Sequence, residues 1–174
     1  MTGPWWTRTR GPGLAQGDLL PDCLLPLFVS EPDPLATEPI EQALRRARLI
    51  VVTQTCDLEN RKVEFVALCP AHTLDEFEEW NPDFSRKGQW ENVRKGRIEG
   101  LHLLASPESP EDNRAAMVVD FGHIVSVPYA YLTQHAESLG LRWRLESPFL
   151  EHFSQAFARF FMRVGLPTAI APFR

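Results

Sequence analysis

Residues 48–70 read RLIVVTQTCDLENRKVEFVALCP. The first part, Arg48 to Gln54, is continuous, aliphatic and β-branched, the pattern of a strand buried on both faces. Thr55 to Asn60 is polar and reads as a loop. Val63 to Leu68 is a second strand, and Cys69-Pro70 stops it because proline has no ladder donor. Two such strands joined by so short a loop predict an antiparallel pair.

Working outward, Gln16-Gly17-Asp18 opens an apolar run from Leu19 to Val29 that is broken by Pro21 and Pro26, so short edge strands are expected. Residues 30–38 form a loop by composition. Ile40, Ala43 and Leu44 recur at helical spacing after Pro39, which predicts a short helix through Ala47. Downstream, residues 71–99 are charged and carry Trp80 and Trp90; they read as an insertion of two short helices. Further strands are expected at Gly100 to Ala105, Ala115 to Asp120, His123 to Val127 and Leu141 to Leu145. Pro128 opens a short helix that runs to about Glu137.

The last element is the best punctuated. Ser147 suits an N-cap and Pro148 the first helical position. Phe149, Leu150, Phe153, Phe157, Phe160, Phe161 and Val164 form one apolar stripe, and Gly165 and Pro167 end the helix. The stripe reads as core, with a dimer seam as the alternative. Arg159 and Arg163 lie four apart and point the same way.

The chain has 174 residues, enough for one ordinary domain and few for two. Met1 to Gly13 holds Trp5, Trp6, Arg8 and Arg10 among Gly and Pro; it reads as a flexible arm on a single domain spanning 14–174. It lacks the apolar segment of a secretory signal, and nowhere is there a run of the roughly 20 apolar residues needed to cross a membrane. Three cysteines, Cys23, Cys56 and Cys69, make no disulfide framework. Together these features predict a cytoplasmic protein with free thiols. The net charge of −5 means that any nucleic-acid contact needs a local basic patch.

Three blocks in order resemble the MazF/PemK toxin family: Gln16-Gly17-Asp18-Leu19-Leu20, then Arg48 to Pro70, then Met117 to Val127 followed by the segment Pro128 to Leu132. The resemblance covers less than a third of the chain. It implies an α+β fold built on a small SH3-like antiparallel β-barrel, here with a helical insertion at about 71–99 and a long C-terminal amphipathic helix. It implies a homodimer, single-stranded RNA as ligand and metal-independent endoribonuclease chemistry, in a toxin–antitoxin or phage-defence setting with a cognate protein partner. Arg48 falls on the family's catalytic arginine, a residue suited to phosphate contact and charge stabilisation. The family's threonine position falls on Pro70, so Thr53, His72 and Thr73 are the candidates for the partner group. Asn60, Arg61 and Lys62 of the loop are candidate RNA contacts.

Other groupings carry different chemistry. Arg86, Lys87, Arg94, Lys95 and Arg97 surround Trp90, a combination that holds single-stranded RNA by phosphate contact and stacking. Cys56, Cys69 and His72 supply three candidate zinc ligands, with Asp57 or His102 as a fourth. Cys56 with His72 or His102 and Asp57 is also a candidate thiol nucleophile system. Three functions therefore stand side by side: an RNA-binding or RNA-cleaving protein, a non-catalytic interaction module on the same barrel, and a zinc- or thiol-dependent hydrolase.

Overall fold

The strand expected at residues 48–54 lies in the middle of the molecule's sheet. The computed structural model describes residues 3–28 and 42–162. Among these, eight strands pair antiparallel and five α-helices pack around them. The strands are β1 (Trp6–Arg10), β2 (Asp18–Phe28), β3 (Gln42–Val51), β4 (Phe65–Thr73), β5 (Leu101–Leu104), β6 (Met117–Asp120), β7 (Val125–Pro128) and β8 (Leu141–Leu145). The helices are α1 (Thr55–Glu59), α2 (Leu74–Trp80), α3 (Gln89–Arg94), α4 (Tyr129–Leu139) and α5 (Phe149–Phe161). Spatial order is β1-β8-β2-β3-β4-β6-β5, with β7 also on β4. The expected closed barrel is not formed: β1 and β5 end the sheet without pairing to each other.

Alternation along β3 explains its central place. Leu49 and Val51 enter one core with Leu20, Val66, Leu68, Leu132 and Ala136, beneath α4. Ile50 enters the opposite core with Trp6, Cys69, Val119, Phe149 and Phe153, beneath α5. Helices on both faces thus require the unbroken aliphatic run. Phe153 is fully buried, and burying a side chain of that size contributes about 3 kcal/mol. A third, smaller core joins Leu74, Phe77 and Val118 under the 71–99 insertion.

Several segments differ from expectation. The N-terminal arm is not loose, because Trp6–Arg10 forms β1 against β8 and Trp6 is buried. Residues 42–47, expected as the end of a helix, extend β3 along β2; the cross-strand pairs from Leu24–Arg46 to Phe28–Gln42 outweigh a weak helical pattern. The rest of that expected helix and the loop 30–38 lie outside the described residues. Pro21 is accommodated in β2 by a register shift between Leu20 and Cys23, where Asp22 adopts φ 56°. The polar loop after β3 winds into α1. Nor does Pro70 stop β4, which continues to Thr73. β7 pairs with β4 as far as Leu68 and β6 begins at Ala71, so Pro70 falls in the gap between them. In α5, Pro148 rather than Ser147 is the cap residue, and Arg163, Val164, Gly165 and Pro167 lie outside the described residues.

Gly17 shows why its position takes no side chain. Its φ is +83°, and a Cβ there would meet Leu150 Cδ1 at 2.9 Å and Leu145 Cβ at 3.0 Å. Among the described residues, no helix is long and apolar enough to cross a membrane.

Candidate functional site

The ladder between β3 and β4 covers only Leu49–Val51 against Leu68–Pro70. Before Leu49, β3 follows β2; beyond Pro70, β4 follows β6. The two central strands therefore splay, and a cleft of about 750 Å³ opens between them. Arg45, Arg46 and Arg48 line it from β3, Asp22 from β2, His72 from β4, Glu76 and Trp80 from α2, Asp120 from the end of β6 and His123 from the β6–β7 connection.

Local sequence sets each wall. Thr73-Leu74-Asp75-Glu76 is a capping box: Thr73 Oγ1 accepts from Glu76 N–H at 3.1 Å, and Glu76 Oε2 accepts from Thr73 N–H at 2.7 Å. The same Glu76 Oε2 lies 3.2 Å from Arg48 Nη1, which also donates to the Ala71 carbonyl at 3.4 Å. Burial pushes the Glu76 carboxyl up, but the Thr73 N–H and Arg48 outweigh it and hold it below the usual range. At the far end of α2, Trp80 is half exposed. The Arg45 guanidinium lies 5.1 Å from the centre of its ring, and the His72 ring meets it edge-on at 4.8 Å.

His72 is lowered from the ordinary histidine pKa, first by burial. Glu76 and Asp120 oppose that shift, while Arg48 and Arg45 add to it. Burial thus favours the neutral ring. Beside it, at the end of β6, Asp120 Oδ2 lies 2.6 Å from His123 Nδ1, and Asp120 Oδ1 accepts from Gly122 N–H at 2.8 Å.

Of the expected catalytic residues, Arg48 and His72 come together here. Thr73 adjoins them, with its hydroxyl engaged in the helix cap. Thr53 lies past the other end of the ladder and accepts from Ala67 N–H at 2.8 Å. Asn60, Arg61 and Lys62 follow α1, at that same distant end; Asn60 Nδ2 donates to the Cys56 carbonyl and Lys62 pairs with Asp57. The Trp90 group is also separate. Trp90 packs on Phe77 and Phe84 and donates to Glu78 at 2.7 Å. Arg94 is paired with Glu91, Lys95 with Glu91, and Arg86 with Asp83. Arg94 and Lys95 thus share one carboxylate, and Arg97 donates to the Asn92 side chain at 3.3 Å.

The proposed zinc and thiol sets are not assembled. Cys69 lies in the core beneath α5, where burial pushes its thiol up to about 12. His72, three residues on along the strand, faces the cleft instead. Cys56 is exposed on α1, within weak hydrogen-bond reach of Gln54 and Asp57 rather than an imidazole. His102 stacks beside Phe121 and Phe153. Among the described residues, no three His, Cys, Asp or Glu side chains are grouped to hold a metal ion.

Sequence reasoning missed Arg45, Glu76, Trp80, Asp120 and His123. The Thr-x-x-Glu signature at 73–76 was readable and locates the start of α2, and with it Glu76. The others reach the cleft only through long-range pairing. Fold and site define an α+β protein with an open antiparallel sheet and an arginine-lined cleft at a strand splay. Comparison of the chain with protein-family models, curated proteins and solved structures finds no match.

Proposed function

We propose that this protein binds single-stranded RNA in the Arg48 cleft and cleaves it without a metal ion. The observation that carries the reading is the concentration of Arg45, Arg46 and Arg48 in one cleft with the half-exposed ring of Trp80. Guanidinium groups match phosphate geometry, and a flat ring stacks on a base whatever its identity. The lining also carries Asp22, Glu76 and Asp120, so a phosphate would have to compete with these carboxylates for the guanidinium groups. A guanidinium such as that of Arg48 suits stabilisation of charge on an attacked phosphate.

The resemblance to MazF/PemK toxins supports the same reading, since its catalytic arginine position falls on Arg48. With it go further proposals: an SH3-like core elaborated into the open sheet, a homodimer, a cytoplasmic location, and a role in a toxin–antitoxin or phage-defence module. A second reading, a non-catalytic module that binds RNA or a cognate protein, is favoured by the Thr73 hydroxyl being engaged in a helix cap and Arg48 being paired with Glu76.

The test is incubation of the full chain with labelled, mixed-sequence single-stranded RNA in EDTA, beside Arg48→Ala. Cleavage by the parent and its loss in the variant support the enzyme. Binding without cleavage supports the module, and intact RNA with no binding rejects both RNA readings.

A further inference from the structure

We propose that His72 and His123 are the base and the acid of RNA cleavage in this cleft, with Asp120 positioning His123; the proposal rests on the RNA reading above. Metal-free cleavage needs two proton transfers: one from the ribose 2′-hydroxyl, one to the departing 5′-oxygen. Two imidazoles lining one cleft, one from β4 and one from the connection beside it, meet that need.

His72 suits the base. It reaches the cleft from β4, and neither ring nitrogen is engaged by another described residue or sealed from solvent without a partner. Its neighbours Trp80 and Phe77 hold the ring by edge and tilted contacts, leaving the nitrogens free to accept a proton. Burial keeps it in the neutral form that a base requires.

His123 suits the acid. Asp120 is itself fixed by Gly122 N–H, and it holds His123 through Nδ1, so Nε2 is the nitrogen left to act. This is the way a carboxylate fixes the orientation and tautomer of a catalytic imidazole. The register explains why the pair is there. β7 and β6 run in succession along one edge of β4, and their connection, residues 121–124, loops out opposite Cys69 and Pro70. His123 is thereby carried to the cleft that His72 enters from β4.

The step balances. His72 takes the 2′-hydroxyl proton as that oxygen attacks the adjacent phosphorus. The bond from phosphorus to the 5′-oxygen breaks, and protonated His123 gives its Nε2 proton to the departing oxygen. The products are a 2′,3′-cyclic phosphate and a 5′-hydroxyl end. Arg45 and Arg48 contact the non-bridging oxygens on which charge builds.

The experiment uses the full chain in EDTA with three probes: a labelled single-stranded RNA, the same strand with 2′-O-methyl riboses as an uncleavable binding probe, and uridine 3′-(4-nitrophenyl phosphate), whose leaving group needs no proton. The parent is expected to leave cyclic phosphate ends. His72→Ala and His123→Ala should each lower kcat on RNA by about 100-fold or more, while binding the 2′-O-methyl strand within a few-fold of the parent. On the nitrophenyl ester His123→Ala should recover nearly the parental rate and His72→Ala should not. His72→Gln and His123→Gln keep the test valid where an alanine variant does not fold. Parental binding without cleavage, or a His123 variant equally slow on both cleavable substrates, overturns the acid and base roles and leaves the RNA reading standing. Failure of the parent to bind the 2′-O-methyl strand overturns the RNA reading itself.

Discussion

Arg48 and Glu76 meet at 3.2 Å across the splay between the two central strands, and the same Glu76 oxygen closes the capping box at the start of α2. One carboxylate therefore anchors a helix and occupies the guanidinium that faces the cleft. A phosphate entering the cleft must compete with it. Glu76→Gln keeps the hydrogen-bonding shape of the cap and removes the competing charge. RNA binding is expected to tighten several-fold, equivalent to ~1 kcal/mol for a partly exposed pair. Arg48→Ala should weaken it and flatten its salt dependence. Fluorescence anisotropy of a labelled strand at two salt concentrations measures both, and unchanged affinity in Glu76→Gln would remove Arg48 from the binding surface.

Asp18 supplies a different kind of contact. Its side chain and that of Arg142 are fully buried and 3.0 Å apart, and Asp18 also accepts from Arg144 Nη2 at 2.9 Å and Ala15 N–H at 3.1 Å. Arg142 reaches on to the carbonyls of Gly11 and Gly13. The network staples residues 11–18 to β8. Asp18→Asn leaves a buried guanidinium without its counter-charge and should cost about 3–5 kcal/mol. Asp22→Asn, at an exposed position that asparagine tolerates at positive φ, should change stability by less than about 0.5 kcal/mol. Urea denaturation of both variants is the measurement. Equal midpoints would mean that the network is not holding the segment.

These relationships mark how far the letters reach. Leu141 to Leu145, the helix from Pro128 and the helical run from Phe149 to Phe161 were legible from their apolar pattern, although Pro148 rather than Ser147 caps the last helix and Phe161 is 53% exposed rather than core. The first half of β3 was not. Ala43 and Leu44 follow Ile40 at helical spacing, yet Leu44 remains 68% exposed in a strand paired with β2. Strand identity there comes from the partner, not from the segment. The cleft was half legible for the same reason. Arg48 stood out only through the resemblance of its block to a toxin family, and His72 as a stand-in for that family's hydroxyl residue and as a candidate metal ligand or base. His123 and Trp80 reach the site by way of a connection that loops out opposite Pro70 and a helix anchored at Thr73, and no local spacing records either.

Away from the cleft, burial beside Phe121 and Phe153, and then the neighbouring His152, lower the pKa of His102 from 6.5 to about 4. The unfolded chain therefore takes up a proton first as pH falls. The stability associated with neutral His102 is complete above about pH 6.5 and is lost as pH falls towards 4. Between pH 7 and pH 5 the loss is about 2 kcal/mol at most. His72, also lowered, acts in the same direction. His102→Gln should flatten the stability profile between pH 6.5 and 5, above the range in which carboxylates titrate. A variant profile parallel to the parent's would show that His102 is not the group responsible.

Trp80 offers the sharpest separation of binding from packing. Its ring is 50% exposed at the lip of the cleft, with Arg45 at 5.1 Å on one side and the His72 edge at 4.8 Å. If the indole stacks on a base, Trp80→Ala should weaken single-stranded RNA binding by about 1–3 kcal/mol. The loss should be similar for strands of different sequence, because every base has a face to stack. Trp80→Phe, which retains a ring, should recover most of it. If the indole only shields His72, the alanine variant should bind RNA as the parent does while the pH dependence of cleavage moves towards that of an ordinary histidine. Anisotropy titrations of the two variants against poly-U, poly-A and mixed strands, with a pH–rate profile for each, distinguish these roles.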